Sequence, residues 1–146
     1  MPTGLEMSDA EVARFLGERR IVRVASVGAD GSPHVVPIGH VLLDGDIAFL
    51  TAPATRTATN VQRDPRVSCV VDDGESFTDF RGVEVRGRAK VLEDRESARK
   101  VAGIFAERVP EEMREYARSQ LLAIAEERVV VVVTADHVVS WDHTKR

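Results

Sequence analysis

Residues 55–66 read TRTATNVQRDPR, and the segments on both sides are rich in β-branched residues. Thr55 has the chemistry of a helix N-cap. Asp64-Pro65 stops the helix it starts, because proline lacks the amide hydrogen and restricts the residue before it. A short helix between strands belongs at the rim of a sheet. The first turn of a helix carries unpaired N–H groups and the positive end of the peptide dipoles, so Thr55, Arg56, Thr57 and Thr59 form a candidate phosphate seat. Taken alone, the same residues also read as a solvated connecting helix with a hydroxyl cap, the commoner arrangement.

Upstream, Ile47 to Thr51 is a short apolar strand preceded by the turn signal Asp44-Gly45-Asp46. Before it, His34 to Leu43 reads as one strand, and Ile21 to Val27 as another joined to it through Asp30-Gly31. Short connections make antiparallel pairing the simplest arrangement, so these three strands are expected to form a meander. The chain opens with a capping box, Ser8 and Glu11, followed by Val12, Phe15 and Leu16 at helical spacing until Gly17.

Downstream, Val67 to Asp72 (VSCVVD) reads as a buried strand with Cys69 as a small core residue. Asp73 to Phe80 is a polar loop carrying Phe77 and Phe80 in a chain with only five Phe, one Tyr and one Trp. Those two rings either contact a ligand or tuck over the end of the sheet. From Gly82 to Leu92, Val83, Val85, Ala89 and Val91 face one way and Glu84, Arg86, Arg88 and Lys90 the other. The basic row suits a solvated outer face better than an acidic-ligand groove. Glu96 to Phe105 and the stretch after Pro110 are two helices, the second with Met113, Tyr116, Ala117, Gln120, Leu121 and Ile124 on one face. Together they should cover an open side of the sheet. Five consecutive valines, Val129 to Val133, require burial on both faces, against a helix or a second subunit.

With 146 residues the chain has the length of one domain, residues 1–146. Its 43% hydrophobic and 30% charged residues are those of a soluble globular protein. A net charge of −4 argues against nucleic-acid binding as the main role. The single cysteine and the absence of zinc-type spacing fit a reducing compartment and no metal. No apolar run approaches a membrane span and no leader pattern opens the chain, so a cytoplasmic location is expected. The four histidines, His34, His40, His137 and His143, are scattered, and no nucleophile sits in an elbow or triad setting. No Gly-rich nucleotide fingerprint follows a strand. If the protein is an enzyme, a bound cofactor carries the chemistry.

The succession RIVRVASVGADGSPHVVPIGHVLLDGDIAFLTA, NVQRDPRVSCVVDDG, FRGVEVRGRAKVLED and VVSWDHTKR resembles the pyridoxamine 5′-phosphate oxidase-like split β-barrel family. Within it, the actinobacterial flavin/deazaflavin oxidoreductases of the B group are the most similar. The resemblance implies an α+β fold, a six-stranded antiparallel split β-barrel with flanking helices. It also implies a homodimer with FMN or coenzyme F-420 bound at the subunit interface. The expected activity is hydride transfer to or from a small conjugated substrate; the alternative is a non-catalytic cofactor- or ligand-binding dimer. Carried onto this chain, His34, Val36, Pro37 and Ile38 would meet the ring and ribityl chain, and Thr51 and Ala52 the tail. Arg56, Thr57 and Asn60 would meet the phosphate, and Phe77 and Phe80 would reach over from the partner subunit. Two positions depart from the family pattern. Thr57 stands where cofactor-binding members carry lysine, so Thr57→Lys is expected to tighten phosphate-bearing cofactors. Gly39-His40 replaces a larger aromatic, which opens room for substrate or brings His40 within reach as a proton donor.

Overall fold

A computed structural model describes residues 2–146. Ser8 Oγ accepts the Glu11 amide at 3.2 Å and starts helix α1 (Asp9–Glu18). The strands are β1 (Ile21–Val27), β2 (Pro33–Gly39), β3 (Val41–Leu43), β4 (Asp46–Thr51), β5 (Arg66–Asp73), β6 (Arg81–Leu92) and β7 (Val129–Asp142). Helix α2 (Arg56–Arg63) follows β4, while α3 (Arg95–Ala106) and α4 (Glu111–Ala125) separate β6 from β7; a 3-10 turn, His143–Lys145, ends the chain. All strand pairings are antiparallel, in the order β2-β1-β5-β6-β7-β4-β3.

That order explains the barrel. β2 and β3 are the two edges of the sheet, yet only His40 separates them in sequence. The sheet therefore curls until its edges meet at one corner of the chain. The expected single strand His34 to Leu43 is broken there, giving seven strands rather than six. The expected meander holds as two hairpins, β1 with β2 and β3 with β4, split at His40, and β4 pairs on its other side with β7. His40 holds the corner. Its ring is fully buried, Nε2 donates to the Leu16 carbonyl at 2.9 Å, and its amide donates to the Arg20 carbonyl at 3.0 Å. The His40 carbonyl accepts from Arg108 at 2.5 Å.

Inside the barrel, Val22, Val24, Phe49, Cys69, Val71, Val83, Val131 and Val133 pack with Phe15 and Leu16 of α1 and Val61 of α2. Cys69 is a core residue, and burial pushes its thiol up to about 12, which leaves it an inert thiol. A second cluster forms outside, where Val130, Ala48, Val41 and Leu43 meet Ala98, Val101 and Ala102 of α3 and Ala125 of α4. The five valines thus have both faces covered within one chain, Val131 and Val133 inward and Val130 outward. Helix α4 departs from expectation. It packs through Leu121, Leu122 and Ala125, while Met113, Tyr116 and Ile124 stay exposed.

On β6, Val83, Val85 and Ala89 are buried, and Arg86, Arg88 and Lys90 face solvent. Arg86 pairs with Glu84 at 3.0 Å and Arg88 with Asp136 at 3.3 Å. A register shift at Arg86/Gly87 bends the strand, and a side chain at Gly87 would collide with the Thr134 carbonyl. The outer face of β2-β1-β5-β6 and the far half of β7 carries no helix. One row across it reads Val35, Ala25, Ser68, Arg86, His137. Among the described residues no helix is long and apolar enough to cross a membrane, and no group of three or more acidic, histidine or cysteine side chains is placed to hold a metal.

Candidate functional site

The turn between β1 and β2 is built to face α2. Gly28 donates to the Ser32 carbonyl at 2.8 Å, Gly31 donates to the Gly28 carbonyl at 2.9 Å, and Gly31 has the positive φ of 85° that the turn needs. Asp30 accepts the Ser32 amide at 2.9 Å and the Ser32 hydroxyl at 3.0 Å. These bonds, the amide first, hold its carboxyl below the usual range, with Arg56 adding to the effect. Across from this turn stands the first part of α2. Between them lies a cleft of about 750 Å³ lined by Gly28 to Asp30, Ser32 to His34, Ala54, Arg56, Thr59, Asn60 and Arg63.

On the helix side, Thr55 Oγ1 accepts the Ala58 amide at 3.3 Å and bonds Thr51 Oγ1 at 2.9 Å. The cap leaves the amides of Arg56 and Thr57 free of intrahelical acceptors. Asn60 is buried. Its Nδ2 donates to Ser26 Oγ at 3.1 Å, and its Oδ1 accepts from Arg63 at 3.0 Å. Arg63 also donates to the Val27 carbonyl at 2.8 Å. Both hydrogen-bond partners of Arg63 are neutral, and the nearest carboxylate acting on it, Asp64, is itself paired with Arg66. His34 adds a buried Nδ1 with no hydrogen-bond partner. The cleft therefore presents two guanidinium groups and one fixed carboxylate beside the His34 ring, whose buried Nδ1 lacks a partner, an arrangement suited to an anion.

The expected site residues divide. Arg56, Asn60 and His34 converge on the cleft. Thr51 lies behind it as the partner of Thr55, with Ala52 at the end of β4. Thr57, only 4% exposed, points away from the cleft lining. On β2, His34, Val36 and Ile38 share the face of Ser26, Val24 and Val22, whereas Pro37 lies opposite Arg23 on the outer face. Phe77, 66% exposed, and Phe80 sit on the loop after β5, away from this cleft. That loop is tied to the C-terminal turn, where His143 Nδ1 meets the Phe77 carbonyl at 2.5 Å and the His143 amide donates to the Phe80 carbonyl at 2.9 Å.

His40 is sealed in the barrel corner, where burial lowers its pKa. The room expected beside Gly39 is filled from α3, since the Phe105 ring would lie 3.6 Å from a Cβ there. Sequence reasoning missed Asp30, Ser32 and Arg63. The Asp30-Gly31 turn signal was visible; its position opposite α2 depends on pairing through β5.

The sequence profile described as pyridoxamine 5′-phosphate oxidase matches residues 8–142. No curated protein matches. A conserved hypothetical protein from Mycobacterium tuberculosis superposes with a TM-score of 0.88 at 30% identity, over 99% of this chain and 91% of that one. The heme storage protein HutZ from Vibrio cholerae gives 0.72 at 20% identity, over 94% and 98%. A structure named F420 reductase gives 0.63 at 19% identity, over the full length of both chains. The last two show likeness of fold. With the match running from the cap of α1 to the end of β7, the chain belongs to the pyridoxamine 5′-phosphate oxidase family.

Proposed function

We propose that this chain is a flavin- or deazaflavin-dependent oxidoreductase that seats the phosphate of FMN or coenzyme F-420 between the β1–β2 turn and α2. The observation that carries the proposal is the pair Arg56 and Arg63 facing one cleft beside an unpartnered His34 Nδ1, in a chain of this family. The residues present fit such a group. Arg56 and the first-turn amides of α2 hold the phosphate, Arg63 adds a second cation, and Asn60 fixes Arg63 in direction. His34 lines the cleft beside the ribityl chain or ring, and Val36 and Ile38 continue the same face with apolar surface. Thr51, through Thr55, keeps the helix start in register with the end of β4. When bound, the cofactor supplies the hydride chemistry; the protein orients it and excludes water from it. The substrate is a small conjugated molecule.

The site is completed by a second copy of the chain. The uncovered sheet face carries Ile21, Val139 and the 64% exposed Val35 beside paired charges such as Arg23 with Asp72. A patch of this kind on a small chain is an association surface. Phe77 and Phe80, held rigidly by the C-terminal turn, then reach over the neighbour's cofactor. Sedimentation equilibrium should return twice the 16.0 kDa chain mass; a monomer at micromolar concentration would remove the dimer from the proposal.

The function is tested by titration with FMN, F-420 and riboflavin, following ligand fluorescence and Trp141 emission. Arg56→Ala should weaken FMN by roughly 10- to 100-fold, the range of a charge-assisted contact, and leave riboflavin unchanged. Failure of both FMN and F-420 to bind at micromolar concentration would refute the proposal.

A further inference from the structure

We infer that Asp30 tunes the charge of the anion this cleft accepts, narrowing the advantage that a phosphomonoester with nearly two negative charges would otherwise hold over a phosphodiester with one. The inference rests on the reading of the cleft as a phosphate seat and goes beyond it to the class of phosphate. The lining holds two cations, Arg56 and Arg63, and one carboxylate, Asp30. Arg63 is held at the cleft by the Asn60 side chain and the Val27 carbonyl. Asp30 is fixed as well, by the Ser32 amide and hydroxyl. A carboxylate held by two such bonds stays ionised and is not displaced by an arriving anion. The fixed charges facing a ligand thus sum to one positive, half of what the two arginines alone would present.

A phosphomonoester carries about −1.5 to −2 at pH 7, because its second proton leaves near pH 6. Its added charge brings it additional attraction to the arginines and additional repulsion from Asp30, and the carboxylate removes part of what the second charge would gain. The interaction with Asp30 is linear in ligand charge, so removing that carboxylate helps a dianion twice as much, on a logarithmic scale, as a monoanion. Asp30 lies at an exposed turn, where screening keeps each effect modest. F-420 carries its phosphate as a diester and FMN as a monoester, so the same residue bears on the choice between them.

The discriminating ligands share one ring system: riboflavin, FMN and the methyl phosphodiester of FMN. Their affinities for the full chain and for Asp30→Asn are measured at low salt and pH 8, where FMN is fully dianionic. Asparagine keeps an oxygen for the Ser32 amide, so the turn survives the substitution. FMN should hold a smaller advantage over the diester in the wild-type chain than in Asp30→Asn. Asp30→Asn should improve the diester about threefold and FMN about tenfold, the square relation that follows from the doubled charge. Lowering the pH through 6 should bring FMN and the diester together in the wild type. The comparison is repeated in His34→Gln, so that the imidazole beside the ligand contributes nothing to the pH dependence. Equal gains for the two ligands in Asp30→Asn would overturn the inference while leaving the cofactor reading standing. Phosphate-bearing flavins that bind no better than riboflavin would overturn both.

Discussion

Acid should open the barrel at His40 before it affects the rest of the fold. The ring is fully buried, its Nε2 donates to the Leu16 carbonyl, its Nδ1 has no partner, and Arg108 lies against its carbonyl. Burial lowers its pKa, and Arg108 lowers it further. A histidine depressed in the native state binds its proton more readily when unfolded. Stability is therefore complete above the unfolded pKa, about 6.5, and is lost as pH falls toward the native value. The slope is at most about 1.4 kcal/mol per pH unit. While the native ring stays neutral, the accumulated loss between pH 7.5 and 5 reaches about 2 kcal/mol, a large part of a small domain's stability. The carboxylates of Asp64 and Glu6, held at about 2, add their own loss only in more acidic solution. Urea unfolding followed by far-ultraviolet circular dichroism from pH 5 to 7.5 measures this slope. In His40→Gln, which keeps a donor for Leu16 and removes the titration, the histidine's share of the slope should vanish. Equal slopes in the two proteins, or a wild-type chain more stable at pH 5 than at 7.5, would refute the reasoning.

Other perturbations test other parts of the fold and site. Val130→Ala and Val131→Ala lie on opposite faces of β7, both fully buried; each should cost about 2 kcal/mol in denaturant unfolding, since each deletes two buried carbons and leaves a cavity. A loss at only one of them would mean that one face of the strand is not sealed. Gly82→Val drives a side chain into the Trp141 indole; overpacking of about 1–3 kcal/mol and a shifted Trp141 emission should follow, and unchanged emission would show that the ring does not lie over β6. Thr57→Lys should gain less phosphate affinity than Arg56→Ala loses, because Thr57 is nearly buried and lies outside the cleft lining. A tenfold gain in FMN titration would place the phosphate on the other side of α2.

Much of this was legible in the sequence because it is local. The caps at Ser8 and Thr55, the stop at Asp64-Pro65, the alternation of β6 and the double burial of the valine run all follow from neighbours within a few residues. The break at His40 was not read, although Pro37 and Gly39 stand just before it, because neither residue by itself demands a corner there. The cause is tertiary: Leu16, Arg20 and Arg108 meet around one imidazole. The pairing of β4 with β7 was hidden for the same reason, because most of the chain separates them. Helix α4 misled through its regular apolar spacing, which packs only at its C-terminal end. Within the site, Arg56 was legible from the first turn of α2, while Asn60 and His34 came from the resemblance to the family. Asp30 and Arg63 come together only when β1, β2 and α2 are assembled.

The central claim is that α2 and the β1–β2 turn hold the cofactor's phosphate. A crystal structure of the full chain soaked with FMN or F-420 tests it most directly. The account predicts phosphate density within hydrogen-bond distance of Arg56 and the α2 first-turn amides, with Arg63 as the second cation. Cofactor density whose phosphate rests elsewhere, with Arg56 and Arg63 untouched, would contradict it.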